Sequence, residues 1–353
     1  MTPLYLVSSE SYTGKTLACL VLARRYRQQG LSAGYFKPLG RVARQVGERW
    51  VDQDVHLVLQ ALELADPPEQ VCPLLPTPAL VAKLLAGHRP EADRLIREAY
   101  HELAARYQVM LVSGTGAALC HGSMLGITAP EIADLLEARV LLVQKAHDTL
   151  CADPVLACAE RFGRRLVGVV FNGVPPELMA QLDQDIRRFL QRAGIPVLGI
   201  LPRERTLSAV SARELAERLG AQVLSGEERL DNLVEHVVVG AMSADRALPY
   251  FRRDRPAVLV TPGERTDLQL TALAATTRAL VLTGQHPQRL VLERAQAAGV
   301  PVMLSAEDIF ATVASVEEVL GKPHMCAPAQ VAKAADLYQE RVDLAAIDAA
   351  IGL

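Results

Sequence analysis

Nine residues near the start of the chain, Ser8-Ser9-Glu10-Ser11-Tyr12-Thr13-Gly14-Lys15-Thr16, have the side-chain types that can grip a phosphate. Glycine lets main-chain N–H groups turn toward an anion. The lysine after it can reach β- and γ-phosphates, and the threonine hydroxyl can hold Mg²⁺. Ser11, Tyr12, Thr13, Gly14, Lys15 and Thr16 are therefore the candidate cradle for ATP or another small phosphate ligand. The glycine that usually leads such a loop is absent, because Ser9 (or Ser8, in a loop one residue longer) stands in its place. An ordinary strand-to-helix turn would read the same way.

The lysines single out a second set of positions. Of 37 basic residues only Lys15, Lys37, Lys83, Lys145, Lys322 and Lys333 are lysine; the rest are arginine. Where arginine is the habitual cation, a retained lysine can mark a need for a compact ammonium. Lys37 is one such position, directly after the expected strand 32–36. Asp52 and Asp54 could hold Mg²⁺ directly or through water, or could simply cap the helix that follows. The tip Val112-Ser113-Gly114-Thr115-Gly116 has no acid, so any ATP hydrolysis is expected to be weak at most.

These residues need elements to position them. Short apolar runs alternate with helix-length segments through the first two hundred residues. The expected strands are 3–8, 32–36, 109–112, 139–143, 166–171 and 196–201. The expected helices are 15–28, 55–64, 91–107, a helix opening at Thr128-Ala129-Pro130-Glu131, 154–162 and 177–193. Continuous Val/Leu/Ile runs between helices mean a mostly parallel α/β sheet with helices on both faces. Lys15, Lys37 and Lys145 then follow the carboxyl ends of strands, the edge where open α/β sheets hold ligands. After Pro202 a second series begins. Ser211 and Glu214 read as a capping box and 227–238 as a helix. Strands are expected at 257–260, 279–282 and 300–304, with helices between them and a closing helix at 329–344. Gly263–Asp267 reads either as an anion- or nucleotide-binding turn or, the favoured reading, as a plain strand-to-helix connection with Asp267 as N-cap.

Composition excludes several functions. Net charge is −3 and aromatics are 4%, which argues against a nucleic-acid surface, and no apolar run reaches membrane-spanning length. Without a signal-like N-terminus the chain is expected to be cytoplasmic. Cys19, Cys72, Cys120, Cys151, Cys158 and Cys326 form no CxxC pair and read as buried thiols.

The first half resembles the dethiobiotin-synthetase-like domain at the N-terminus of long bacterial phosphotransacetylases. The resemblance lies in the Gly-Lys-Thr loop, Tyr35-Phe36-Lys37-Pro38, Asp54, Ser113-Gly114-Thr115-Gly116, Phe171-Asn172-Gly173-Val174-Pro175 and Pro196–Pro202. The second half resembles the DRTGG domain that follows there, in His236–Ser243, Thr261–Asp267 and Leu282-Thr283-Gly284. The resemblance implies a P-loop NTPase-like domain at 1–205 and a smaller α/β DRTGG-type domain at 206–353. It implies that Lys15 and Thr16 bind ATP and Mg²⁺, that Lys37 serves carbamate and phosphate chemistry, that Asp54 binds Mg²⁺, and that Asn172 lies on the purine side. The family's metal-binding glutamate falls on Ser113. No residues are left for the acetyltransferase domain, so acetyl transfer is not expected. The expected function is a nucleotide-responsive regulator or sensor, forming at least a homodimer or acting on a separate protein partner. An ATP-dependent ligase using Lys15 and Lys37, or a scaffold with a vestigial site, are the alternatives.

Overall fold

A computed structural model describes residues 2–240, 242–251, 255–321 and 328–353. Lys322, Cys326 and Ala241 of the His236–Ser243 stretch lie outside the described residues. The chain divides into two compact units. One runs to Arg203 and takes up Val331–Leu353; the other is Glu204–Gln330.

The first unit is built on six parallel strands. They are β1 (Leu4–Val7), β2 (Ala33–Phe36), β5 (Val109–Ser113), β6 (Arg139–Lys145), β7 (Leu166–Val174) and β8 (Val197–Pro202), in the order β2-β5-β1-β6-β7-β8. Every residue of β1, β2 and β5 is buried, as expected of strands covered on both faces. β1 lies between β5 and β6, both later in the chain. The turn leaving β1 therefore opens at the switch point of the sheet, where a crevice forms outside the strand ends. Helix α1 (Lys15–Gln28) follows that turn.

A small antiparallel hairpin, β3 (Ala43–Val46) and β4 (Arg49–Asp52), delivers the chain to helix α2 (Gln53–Ala61). The sequence does not announce this hairpin, since its polar, mostly exposed residues carry no apolar alternation. The helix over Ala129–Leu135 starts at the expected Thr128–Glu131 capping box. The expected helix over 177–193 is one helical run, Pro176–Arg192, interrupted by a π-helical turn at Leu182–Ile186.

The closing segment was expected to belong with the second domain, but it packs in the first unit. Val342 bridges Gly199 antiparallel, and the Asp343 N–H donates to the Leu198 carbonyl at 2.7 Å. Asp348, on the helix Leu344–Ile351, accepts two bonds from the Arg25 guanidinium and one from the Tyr26 hydroxyl at 3.0 Å. An amphipathic pattern says that a face is buried, and leaves open what buries it.

The second unit holds β9 (Val210–Ser211) paired with β11 (Leu233–Val234), and a five-stranded sheet. That sheet contains β10 (Gln222–Ser225), β12 (His236–Val239), β13 (Ala257–Pro262), β14 (Thr277–Thr283) and β15 (Val302–Ser305), ordered β10-β15-β14-β13-β12 with β10 antiparallel. The helix expected over 227–238 does not form. After a single 3₁₀ turn the chain extends, because Val237, Val238 and Val239 pair with β13, and β-branched side chains favour that pleated setting. Ser211 caps Glu214 as expected. Asp267 is not an N-cap. It sits inside the helix Thr266–Leu273 and takes a bidentate pair from Arg265, the residue at the cap. Cys19, Cys72, Cys151 and Cys158 are buried, whereas Cys120 is exposed.

Candidate functional site

The loop between β1 and α1 closes on itself around Lys15. Lys15 is 7% exposed, and its Nζ donates to Ser8 Oγ at 2.6 Å, with Thr13 Oγ1 at 3.5 Å. The ammonium is thus turned into the loop. Burial lowers its pKa to about 8; attraction to Asp54 opposes the fall, and repulsion from Lys37 and Arg41 adds to it.

Gly14 caps α1 with φ 93°, in the left-handed region, and no side chain caps the helix. Asn172 at the end of β7 donates from Nδ2 to the Thr13 carbonyl at 2.8 Å and lies where a Cβ on Gly14 would be. Glycine is therefore required here on two grounds, backbone conformation and close approach. The Thr13 carbonyl accepts from Asn172, and no i−4 bond joins it to the Leu17 amide. Among the described residues, the amides of Lys15, Thr16 and Leu17 donate no hydrogen bond. Three N–H groups at the positive end of a helix, beside a buried ammonium, make an anion cradle.

The rest of the loop is fastened from three sides. Ser9 Oγ donates to Gln144 Oε1 at 2.7 Å, and His147 Nε2 lies 3.0 Å from Glu10. Arg41 donates to Ser11 Oγ and stacks over the Tyr12 ring, 5.4 Å from its centroid. Gly116 packs flush on Ser11, where a Cβ would stand 2.7 Å from the Ser11 main chain. Without the usual leading glycine, side-chain and tip contacts hold the turn.

Lys37 lies 2% exposed, with Nζ 2.6 Å from Asp52 Oδ1 and 2.5 Å from Asp54 Oδ2. Burial acts to lower its pKa, but the Asp54 and Asp52 carboxylates outweigh burial, and the pKa is raised. Asp52 is saturated. Oδ1 accepts from the Asp54 and Val55 amides at the start of α2, and Oδ2 from the Arg41 and Val42 amides at 2.8 and 3.4 Å. Of the two roles expected of Asp52, the structure shows the helix cap, and it adds an ion pair with Lys37.

Beneath these charges the strand tips present neutral groups. Cys19 Sγ and the Tyr35 hydroxyl both face Ser113 Oγ. Ser113 and Tyr35 are each 1% exposed, and neither closes a hydrogen bond of normal geometry. Burial raises the Cys19 thiol to about 12 and lifts the Tyr35 phenol as well. Thr115 Oγ1 is 2.8 Å from His121 Nδ1, and burial, then Arg41 and Lys37, lower the His121 pKa.

The structure therefore gathers Ser11–Thr16, Lys37, Asp54 and Asn172 at one sheet edge, and Lys145 ends β6 there, half-buried. Sequence reasoning missed Arg41 and His121, and held Tyr35 only as part of the Tyr35–Pro38 stretch, with no role. Arg41 was hidden by the abundance of arginine, and no spacing marked His121.

Comparison with known proteins follows this geometry. The family model described as AAA domain (AAA_26) matches residues 2–211, and that described as DRTGG domain matches residues 214–319. A phosphate acetyltransferase of Synechocystis sp. is 25% identical over 358 residues, covering 96% of this chain and 50% of its own. The ATP-dependent dethiobiotin synthetase BioD of Anoxybacillus flavithermus is 24% identical over 208 residues, 57% of this chain and 92% of its own. The crystal structure of a ParA family ATPase from Chlorobium tepidum aligns with TM-score 0.37 and 14% identity, over 59% of this chain and 87% of that one. The chain spans about half the length of the phosphate acetyltransferases it matches over most of its length. Among the described residues no helix is long and apolar enough to cross a membrane.

Proposed function

We propose a function for a chain that belongs to the AAA_26 family of AAA domains and carries a DRTGG domain behind it: it is a nucleotide-responsive regulatory protein. Its ligand is ATP or ADP, with the phosphates on Lys15 and the α1 amides. The observation that carries this reading is the Lys15 ammonium, buried and turned onto the loop beside N–H groups that donate to nothing else. An anion at that point meets an unsatisfied cradle, and its charge offsets the desolvation that lowers Lys15.

Binding is favoured over turnover. The β5 tip presents Ser113 where a carboxylate would be needed to place a metal or polarise a water. The ligase reading needs Lys37 to meet a substrate, and Lys37 is committed to Asp52 and Asp54. In this reading Asn172 fixes the loop through Thr13. The response passes to a second copy in a homodimer or to a separate protein partner, and acetyl transfer is no part of what these two domains do.

The test is the melting temperature of the purified chain with ATP, ADP or inorganic tripolyphosphate. A nucleotide at a hundredfold excess over its Kd adds roughly 2.7 kcal/mol, so the transition rises by several degrees. Lys15→Ala removes the rise. An unchanged melting temperature with both nucleotides contradicts the proposal, and an equal shift by tripolyphosphate replaces the nucleotide with a simple polyphosphate.

A further inference from the structure

We infer that this site takes the phosphates of its nucleotide without a divalent cation, because Lys37 already occupies the carboxylates that would hold one. The inference rests on the nucleotide reading above and narrows it.

A phosphate-bound Mg²⁺ is usually held by one or two carboxylates plus the phosphate oxygens. The acids near the loop are Asp52, Asp54 and the loop's own Glu10, whose carboxylate lies 3.0 Å from His147 Nε2. Asp52 accepts four main-chain N–H groups and the Lys37 ammonium, so no oxygen lone pair remains for a metal. Asp54 shares the same ammonium. A cation entering between them must displace a buried lysine whose protonated form these two carboxylates stabilise. The third strand tip adds only the Ser113 hydroxyl, and the Thr16 hydroxyl is likewise neutral. Among the described residues no group of three or more His, Cys, Asp or Glu is placed to hold a metal ion.

The same surroundings suit a bare anion. Lys15 feels the repulsion of Lys37 and Arg41 as well as the attraction of Asp54, so cationic groups converge beside it. The buried Ser113 and Tyr35 hydroxyls are unspent donors among these groups. Charge that a P-loop site usually borrows from Mg²⁺ is supplied here by a fixed ammonium.

Two measurements on the full chain test this. In isothermal titration with ADP, the Kd in EDTA should be tighter than that in excess MgCl₂. A Kd at least tenfold weaker in EDTA overturns the inference and leaves the nucleotide reading standing; no heat in either buffer overturns both. The second uses Mn²⁺ with ADP, followed by the electron paramagnetic resonance of free Mn²⁺. Protein that prefers metal-free ADP strips the nucleotide from the ion, and the free signal grows. A signal that shrinks on adding protein shows a metal site and overturns the inference.

Discussion

Lys15 and Lys37 are two buried lysines with opposite energetics. Lys37 is held by two carboxylates, whereas Lys15 has only neutral oxygens within hydrogen-bond reach. Lys15 therefore costs stability in the ligand-free protein. Its pKa near 8 is below the ordinary 10.5, so the unfolded chain binds more protons between those values. The penalty is full below pH 8 and disappears as pH rises toward 10.5. Lys15→Met should therefore raise stability at pH 7, by up to about 3 kcal/mol, and the gain should fade by pH 10. Lys37→Met should do the reverse and cost about 3–5 kcal/mol by leaving its carboxylates uncompensated. Urea titrations of both variants at pH 7 and pH 10 check this. A destabilised Lys15→Met at pH 7 would contradict the account. Both lysines were legible as residue types, because lysine is scarce in this chain. Their partners were only half legible. Asp52 and Asp54 precede a helix, and the sequence alone could not divide capping from charge pairing. Arg41 and Tyr35 reach the loop only through the fold.

At the scale of elements, what the sequence made legible was the buried parallel strands, whose continuous apolar runs and following helices have few alternatives. It misled where a short polar segment could pair in more than one way. The stretch after Glu227 has apolar residues at Leu230, Leu233, Val234 and Val237, a spacing that suits a helix, yet Leu233 and Val234 pair with β9 and Val237–Val239 form the edge of the five-stranded sheet. The β3–β4 hairpin left no trace for the opposite reason, since its side chains bury little. The closing helix Leu344–Ile351 is fixed to α1 through Asp348, whose two oxygens are taken by Arg25 and Tyr26. The Asp348 hydrogen bond also raises the Arg25 pKa. Asp348→Ala leaves a partly buried guanidinium and phenol without an acceptor and should cost about 1–3 kcal/mol. The shift in the urea midpoint reads it, and a change below 0.3 kcal/mol would show that the pair is solvent-screened.

For the whole molecule, the order of strands makes the loop at Lys15 a site. β1 lies between two later strands, so its exit turn opens at the switch point, and the tips of β2, β5, β6 and β7 converge there with Lys37, Ser113, Gln144 and Asn172. The family models divide the chain near residue 212, while compactness returns Val331–Leu353 to the first unit. That return was not legible, because it depends on contacts more than a hundred residues apart in sequence. The central claim, that an anion settles on the main chain ahead of and within the first turn of α1, is open to one direct reading: amide hydrogen exchange with and without ADP. The account requires slowed exchange in peptides spanning residues 9–17, lost in Lys15→Ala. Protection confined to other segments, with residues 9–17 unchanged at saturating ADP, would contradict it.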